Sequence, residues 1–280
     1  MTVKPVFYDS FHCKAARCEH TCCKGWEIDV DEDSALYYQT LNGILGQSMR
    51  SALAQDEDGY HFLLRDDRCP FLETDGLCRL IKELGEEALC DICALHPRFF
   101  EACGAVELQG LGLSCEAVCE ELFKDETALS FTDETGAVYS ISDVLARCGY
   151  SCAIPAYHPC EDTAALQSLL KRFAATDSID RQWGKEISSL RVILAEGISA
   201  RHLPETTPSI HLQNLFDYIL FRQIEQIPTA GIAAVIQYAT NCVDFIHLHT
   251  RITGHLAQSA RRFSEQIEYS TVNVAALLSP

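Results

Sequence analysis

Fifteen cysteines fall in a chain of 280 residues, and eleven of them precede residue 120. They open with Cys13, Cys18, Cys22 and Cys23 and continue through Cys69, Cys78, Cys90, Cys93, Cys103, Cys115 and Cys119. A free cysteine ordinarily behaves as a small buried hydrophobe. That suits Cys242, inside the apolar run AAVIQYATNCVDFIHL, but not the N-terminal group, which lies among Lys, Arg, Glu, His and Asp. The odd count leaves a disulfide framework incomplete, and MTVKPVFYDSFHCK holds no apolar run of signal-peptide length. A cytoplasmic location is expected, where thiols stay reduced. The early cysteines then point to metal ligation or catalysis rather than burial.

Charge and hydropathy narrow the partners. The net charge of −18 disfavours nucleic acid, whose phosphates would be repelled, and suits a cationic surface such as a lysine-bearing protein. No stretch reaches the roughly 20 apolar residues of a membrane span, so no membrane partner is expected. There is no G-x-G-x-x-G after a strand, no P-loop and no G-x-S-x-G, which removes dinucleotide, nucleotide and serine-hydrolase signals.

Patterning predicts a mainly α protein: an irregular cysteine-rich N-terminal half with a small β-hairpin, followed by a helical bundle. Asp31 to Ser34 (DEDS) offers an N-terminal cap, with apolar positions following at Tyr37, Leu41, Leu45, Met49 and Leu53. YHFLL reads as a short strand, GLCRLIKELG as a helix stopped by Gly85, and residues 96–114 as a hairpin about Gly104. Further helices are expected at 163–175, 185–198, 209–226 and 230–249, the last apolar almost all round and hence buried. Three segments follow: a cysteine-rich metal-binding region over 1–130, a connecting segment over 131–163, and a helical region over 164–280 packed on the first as one unit.

The spacing is C-x4-C-x3-C-C, then Cys69 and Cys78, then Cys93 and Cys115. Thiolates favour soft or borderline metals, chiefly zinc and iron–sulfur clusters. Eight cysteines (13, 18, 22, 23, 69, 78, 93 and 115) could supply two four-thiolate sites, and one cluster with spare thiols is equally compatible. Only Cys90–Cys93 forms a C-x2-C knuckle, so an ordinary zinc ribbon is not expected. Neighbouring side chains in extended backbone point to opposite sides, which makes Cys22 and Cys23 poor ligands for one ion. His12, His20 and His96 lie near the cysteines and are alternative ligands or hydrogen-bonding partners of ligands.

FHCKAARCEHTCCKGWEIDVDEDSALYY, CPFLETDGLCRLIKELGEEALCDICALHPRFF and LSCEAVCEELF together resemble the cysteine blocks of the flagellin lysine N-methylase family. That family sits within the cysteine-rich proteins regarded as zinc- or iron-chelating. LFDYILFRQI and EQIEYSTVNVAALL resemble its downstream blocks. His96 stands where tyrosine is usual before Pro-Arg, and Tyr269 where histidine is common. The resemblance implies methyl transfer from S-adenosylmethionine to surface lysines such as those of flagellin, with a 4Fe–4S cluster taking part. It implies as ligands Cys13, Cys18, Cys22, Cys23, Cys69, Cys78, Cys93 and Cys115, and leaves Cys90, Cys103 and Cys119 outside the pattern. The alternative is a non-enzymatic protein in which zinc or iron is structural.

Overall fold

The computed structural model describes residues 1–195 and 207–279. The chain divides into two compact units: a larger one of Met1–Phe11 with Phe99–Pro280, and a smaller one of His12–Arg98. Among the described residues eight strands run in chain order. They are β1 (Thr2–Pro5), β2 (Asp29–Val30), β3 (Leu53–Gln55), β4 (Tyr60–Phe62), β5 (Arg98–Cys103), β6 (Val106–Leu111), β7 (Phe131–Asp133) and β8 (Val138–Tyr139). The protein is mainly α, and none of its described helices is long and apolar enough to cross a membrane.

The hairpin expected about Gly104 is present as β5 and β6, and it belongs to a larger five-stranded sheet ordered β5-β6-β1-β7-β8. The N-terminal strand β1 runs parallel to β6, with Val3 opposite Leu108, and antiparallel to β7, with Val3 also opposite Asp133. The first residues of the chain are therefore held by segments more than a hundred residues away. Helix Ser209–Arg222 clamps this sheet: the Tyr218 hydroxyl donates to the Leu111 carbonyl at 2.6 Å and accepts from the Leu111 N–H at 2.8 Å. Asn214 likewise accepts from Leu129 N–H and donates to the Thr127 carbonyl, both at 2.8 Å.

The helices of the larger unit bury one continuous apolar core. Helix Ile232–Thr253 has every residue from Cys242 to Thr250 buried, as its all-round apolar pattern predicts. Phe245 stacks on Phe173 with ring centres 4.2 Å apart and lies 5.2 Å from Trp183. Aromatic pairs of this kind add about 0.5–1.5 kcal/mol beyond the area they bury. Helix Thr163–Ala174 follows the expected pattern closely. Helix Arg181–Ala195 is described to Ala195, and the predicted continuation to 198 lies outside the described residues. A five-residue π-helical turn, Ser264–Glu268, follows helix Leu256–Phe263.

The smaller unit has its own core, built on Tyr38, Met49, Phe62, Phe71 and Leu80 beside the sheet β2-β4-β3. The Asp31 carboxylate caps helix Glu32–Thr40 by accepting from the Ser34 N–H at 2.8 Å. The helical pattern read through to Leu53 is interrupted: Leu41 and Asn42 are extended, and a second helix runs Gly43–Ala52. Gly46 makes the bend possible, because a Cβ there would lie 2.0 Å from the Leu41 carbonyl oxygen. Helix Arg79–Leu84 ends at Gly85, whose φ of 93° an L side chain resists.

Candidate metal centre

Backbone pairing draws distant cysteines of the smaller unit together. Lys24 and Arg68 form an antiparallel bridge, and the Cys69 N–H donates to the Cys23 carbonyl at 2.9 Å. A second bridge, Leu72 with Cys78, folds the 71–79 segment back so that Arg79 N–H reaches the Phe71 carbonyl at 2.8 Å. Cys90 and Cys93 sit at the start of helix Asp91–Leu95, one turn apart, with Cys93 N–H donating to the Cys90 carbonyl. The Tyr38 hydroxyl fixes this turn by donating to the Ala88 carbonyl at 2.7 Å.

Cys69 and Cys90 are buried within the small core, and Cys23, Cys78 and Cys93 pack half-buried against it. These five thiols are electrostatic neighbours. Cys93 responds to Cys90, Cys23 and Cys69, while Cys78 responds to Cys23 and Cys90. Burial pushes Cys69 up to about 11 and also raises Cys78. Cys93 is raised by its hydrogen bond to Cys90, and Cys90 is lowered by the same bond.

Cys23 is the acidic member of the group. The neighbouring Cys22 thiol donates to it, which outweighs the effect of burial and lowers it to about 6. The expectation that adjacent thiols diverge is corrected here. Residues 22 and 23 lie in a turn rather than extended backbone, so their side chains meet.

The other predicted ligands are placed differently. Cys13 is exposed, with its sulfur accepting from Ala15 N–H at 3.3 Å, and Cys18 is half-buried on the same irregular segment. Cys115 belongs to the larger unit, at the start of helix Glu116–Leu122 and beside Cys119. Sequence reasoning set Cys90 aside, although its C-x2-C spacing to Cys93 was the available signal. Cys103, Cys119 and Cys242 are buried in the larger core, Cys242 as its apolar run predicts.

The donor chemistry of the smaller unit fits a soft or borderline metal: five gathered thiols, Cys23 and Cys90 among them lowered by a neighbouring thiol, within one small core. Burial also lowers His96 to about 4, and its Nε2 is buried with no hydrogen-bond partner, so it is a neutral imidazole with a nitrogen to offer. As the side chains stand, no three His, Cys, Asp or Glu among the described residues form a group that could hold a metal ion. Ligation would require the thiols to turn toward a common point. The smaller unit also has an open cavity of about 640 Å³ lined by Asp29, Asp31, Glu32, Asp58, Tyr60 and Asp91, among others. Asp31 is held below the usual carboxylate range, against the effect of burial, by the N–H groups of Asp91 and Ser34.

Comparison with known proteins gives partial matches. The chain is 27% identical over 139 residues to the Lysine-N-methylases of Salmonella typhimurium and Salmonella choleraesuis. Those matches cover 47% of this chain and 35% of each relative. It is also 27% identical over 151 residues to the flagellar biosynthetic protein FliU of Salmonella muenchen, covering 51% of this chain and 88% of that protein. No protein-family model matches the chain, and no solved structure matches it. On sequence, then, the chain is similar at low identity to curated lysine methylases and to a flagellar protein, over about half its length.

Proposed function

We propose that the protein is an iron–sulfur-containing protein-lysine N-methyltransferase, acting on surface lysines of a protein such as flagellin. The observation that carries this reading is the gathering of Cys23, Cys69, Cys78, Cys90 and Cys93 on one small core, in a chain similar to Lysine-N-methylases. Cys13, Cys18 and Cys22 are further candidate ligands within the smaller unit, and Cys115, in the larger unit, is a candidate by resemblance alone. A 4Fe–4S cluster held by three cysteines would supply an open iron for the amino-carboxylate end of S-adenosylmethionine.

The chain's own residues have definite work in such a reaction. Thiolates must be available for ligation, and hydrogen bonds from Cys22 and Cys93 lower Cys23 and Cys90 respectively. A lysine amine attacks only when neutral, so its proton must leave first. In the transfer the nitrogen–methyl bond forms as the sulfonium–methyl bond breaks, giving methyl-lysine, S-adenosylhomocysteine and a released proton.

A second reading has its own support. Cys69 and Cys90 are part of the small unit's apolar packing, where a zinc or iron ion would act as a structural clasp without catalysis. Anaerobic purification, metal analysis and a flagellin methylation assay read by mass spectrometry separate the two. The transferase reading expects iron, sulfide, absorbance roughly near 400 nm where thiolate–iron charge transfer lies, and added methyl groups on lysine. Colourless protein with stoichiometric zinc and unmodified flagellin would establish the structural reading instead.

A further inference from the structure

Two thiols of the larger unit meet outside the candidate metal centre. Cys103 ends strand β5, immediately before Gly104, and is 7% exposed. Cys148 stands 45 residues later, where helix Ile141–Arg147 ends. The helix stops in a Schellman turn: the Gly149 N–H donates to the Ala146 carbonyl at 3.1 Å, and the Tyr150 N–H to the Leu145 carbonyl at 2.9 Å. This turn fixes the backbone of Cys148 and Tyr150 and carries both side chains to Cys103.

The contacts among the three are direct. The Cys103 thiol donates to the Cys148 carbonyl at 3.9 Å, and the two thiols are hydrogen-bonded to each other. The Tyr150 hydroxyl is also hydrogen-bonded to Cys103. Cys103 is part of the larger core, whereas Cys148 is half-buried and packs against it. Cys119 is engaged differently, fully buried and donating to the Leu113 carbonyl at 3.0 Å. A disulfide needs two sulfurs on backbones that already stand close, with side chains that point toward each other. Cys103 and Cys148 meet both conditions.

We propose that Cys103 and Cys148 are a redox-active pair that closes to a disulfide on reaction with a small disulfide such as oxidised glutathione. Cys148, the more accessible sulfur, loses its proton and attacks the oxidant. The oxidant's sulfur–sulfur bond breaks, one small thiol leaves with a proton, and a mixed disulfide remains on Cys148. Cys103 then loses its proton and attacks the Cys148 sulfur, releasing the second small thiol, which takes a proton in turn. Two electrons pass from the pair to the oxidant, and one disulfide is exchanged for another.

Burial pushes Cys148 up to about 12, and its bond to Cys103 adds to the rise. Little of it is thiolate at neutral pH, so closure calls for sustained exposure to the oxidant. The bond would tie the β5–β6 hairpin to helix Ile141–Arg147 and close a loop of 45 residues. Such a closure stabilises mainly by restricting the unfolded chain.

The test is incubation of the full chain, without oxygen, in a series of ratios of oxidised to reduced glutathione. Alkylation, digestion and mass spectrometry then map the thiols. The expected product is a pair of peptides joined through Cys103 and Cys148, lighter than their sum by two hydrogens and separated again by dithiothreitol. Oxidation should also raise the denaturation midpoint of the larger unit. Cys148→Ser, its fold checked by circular dichroism, should lose both the cross-link to Cys103 and the rise in midpoint. Both thiols staying open to alkylation in unfolded samples at every ratio would overturn the proposal. So would Cys103 joined to a different cysteine in the native chain, or a rise in midpoint that survives in Cys148→Ser.

Discussion

The two units use the same residue type in opposite ways. In the larger unit Cys119 and Cys242 are fully buried among apolar side chains, and burial raises their thiols well above the ordinary value. In the smaller unit the thiols sit on and around a much shorter list of core residues, and some are pulled toward thiolate by one another. A cysteine is therefore inert packing or a prospective ligand according to its neighbours. The first role depends on a core large enough to do without it, and the second on a core too small to dominate.

If that contrast is correct, the greatest loss of stability should come from the larger core. Phe245→Ala removes a ring stacked on Phe173 and packed against Trp183, and should cost about 3–5 kcal/mol in chemical denaturation. The cost should be the same with and without a chelator. A chelator-dependent loss would mean that the larger unit also relies on metal.

The next effect compares two tyrosine ties. Tyr218→Phe leaves both the N–H and the carbonyl of Leu111 without their partner and should cost about 2–4 kcal/mol. Tyr38→Phe strands the Ala88 carbonyl but no backbone N–H and should cost about 1–2 kcal/mol. Tyr38 also hydrogen-bonds Cys90, so its loss should alter labelling of Cys90 by iodoacetamide, whereas Tyr218→Phe should leave thiol labelling unchanged. Equal costs, or equal labelling changes, would erase the distinction between the units.

How far the sequence discloses this arrangement depends on the range of the forces involved. Helices Thr163–Ala174 and Ile232–Thr253 are legible because their apolar periodicity is local. The pairing of Thr2–Pro5 with Val106–Leu111 is not, because a four-residue strand carries no signal of a partner so distant. Cys69 and Cys78 stand out by composition, whereas Cys90 falls outside the family resemblance despite its C-x2-C spacing. The Cys103–Cys148 pair is illegible for another reason. The two lie 45 residues apart, and only the end of strand β5 and the turn after helix Ile141–Arg147 bring them to one place.

Alkylation rates test the thiol contrast directly. In metal-free protein, Cys23 should label with an apparent midpoint near pH 6 and Cys69 near pH 11, while Cys119 and Cys242 should label only as the protein unfolds. The sign follows from the thiolate being the nucleophile: labelling of Cys23 falls as pH drops below its midpoint. The same depression contributes to stability. With a folded value near 6 against an ordinary 9.0, the contribution is fully present above pH 9 and is lost as pH falls through 6.

The smallest change in stability should come from Cys22→Ala, at an exposed position where substitution shifts folding by no more than about 0.5 kcal/mol. Its chemical effect should be much larger than its structural one. Removing the donor returns Cys23 toward its ordinary value, because burial then acts without the opposing hydrogen bond. At pH 7 labelling of Cys23 should slow severalfold, the loss of thiolate being partly offset by the greater nucleophilicity of a more basic sulfur. Cys69 and Cys78 should label as before. Such an outcome would make Cys22 the group that sets the charge of its neighbour, a task that needs the turn at residues 22 and 23 and is closed to two thiols on extended backbone. An unchanged Cys23 midpoint would remove the link between the adjacent cysteines, and with it the clearest difference between the thiols of the smaller unit and those buried in the larger.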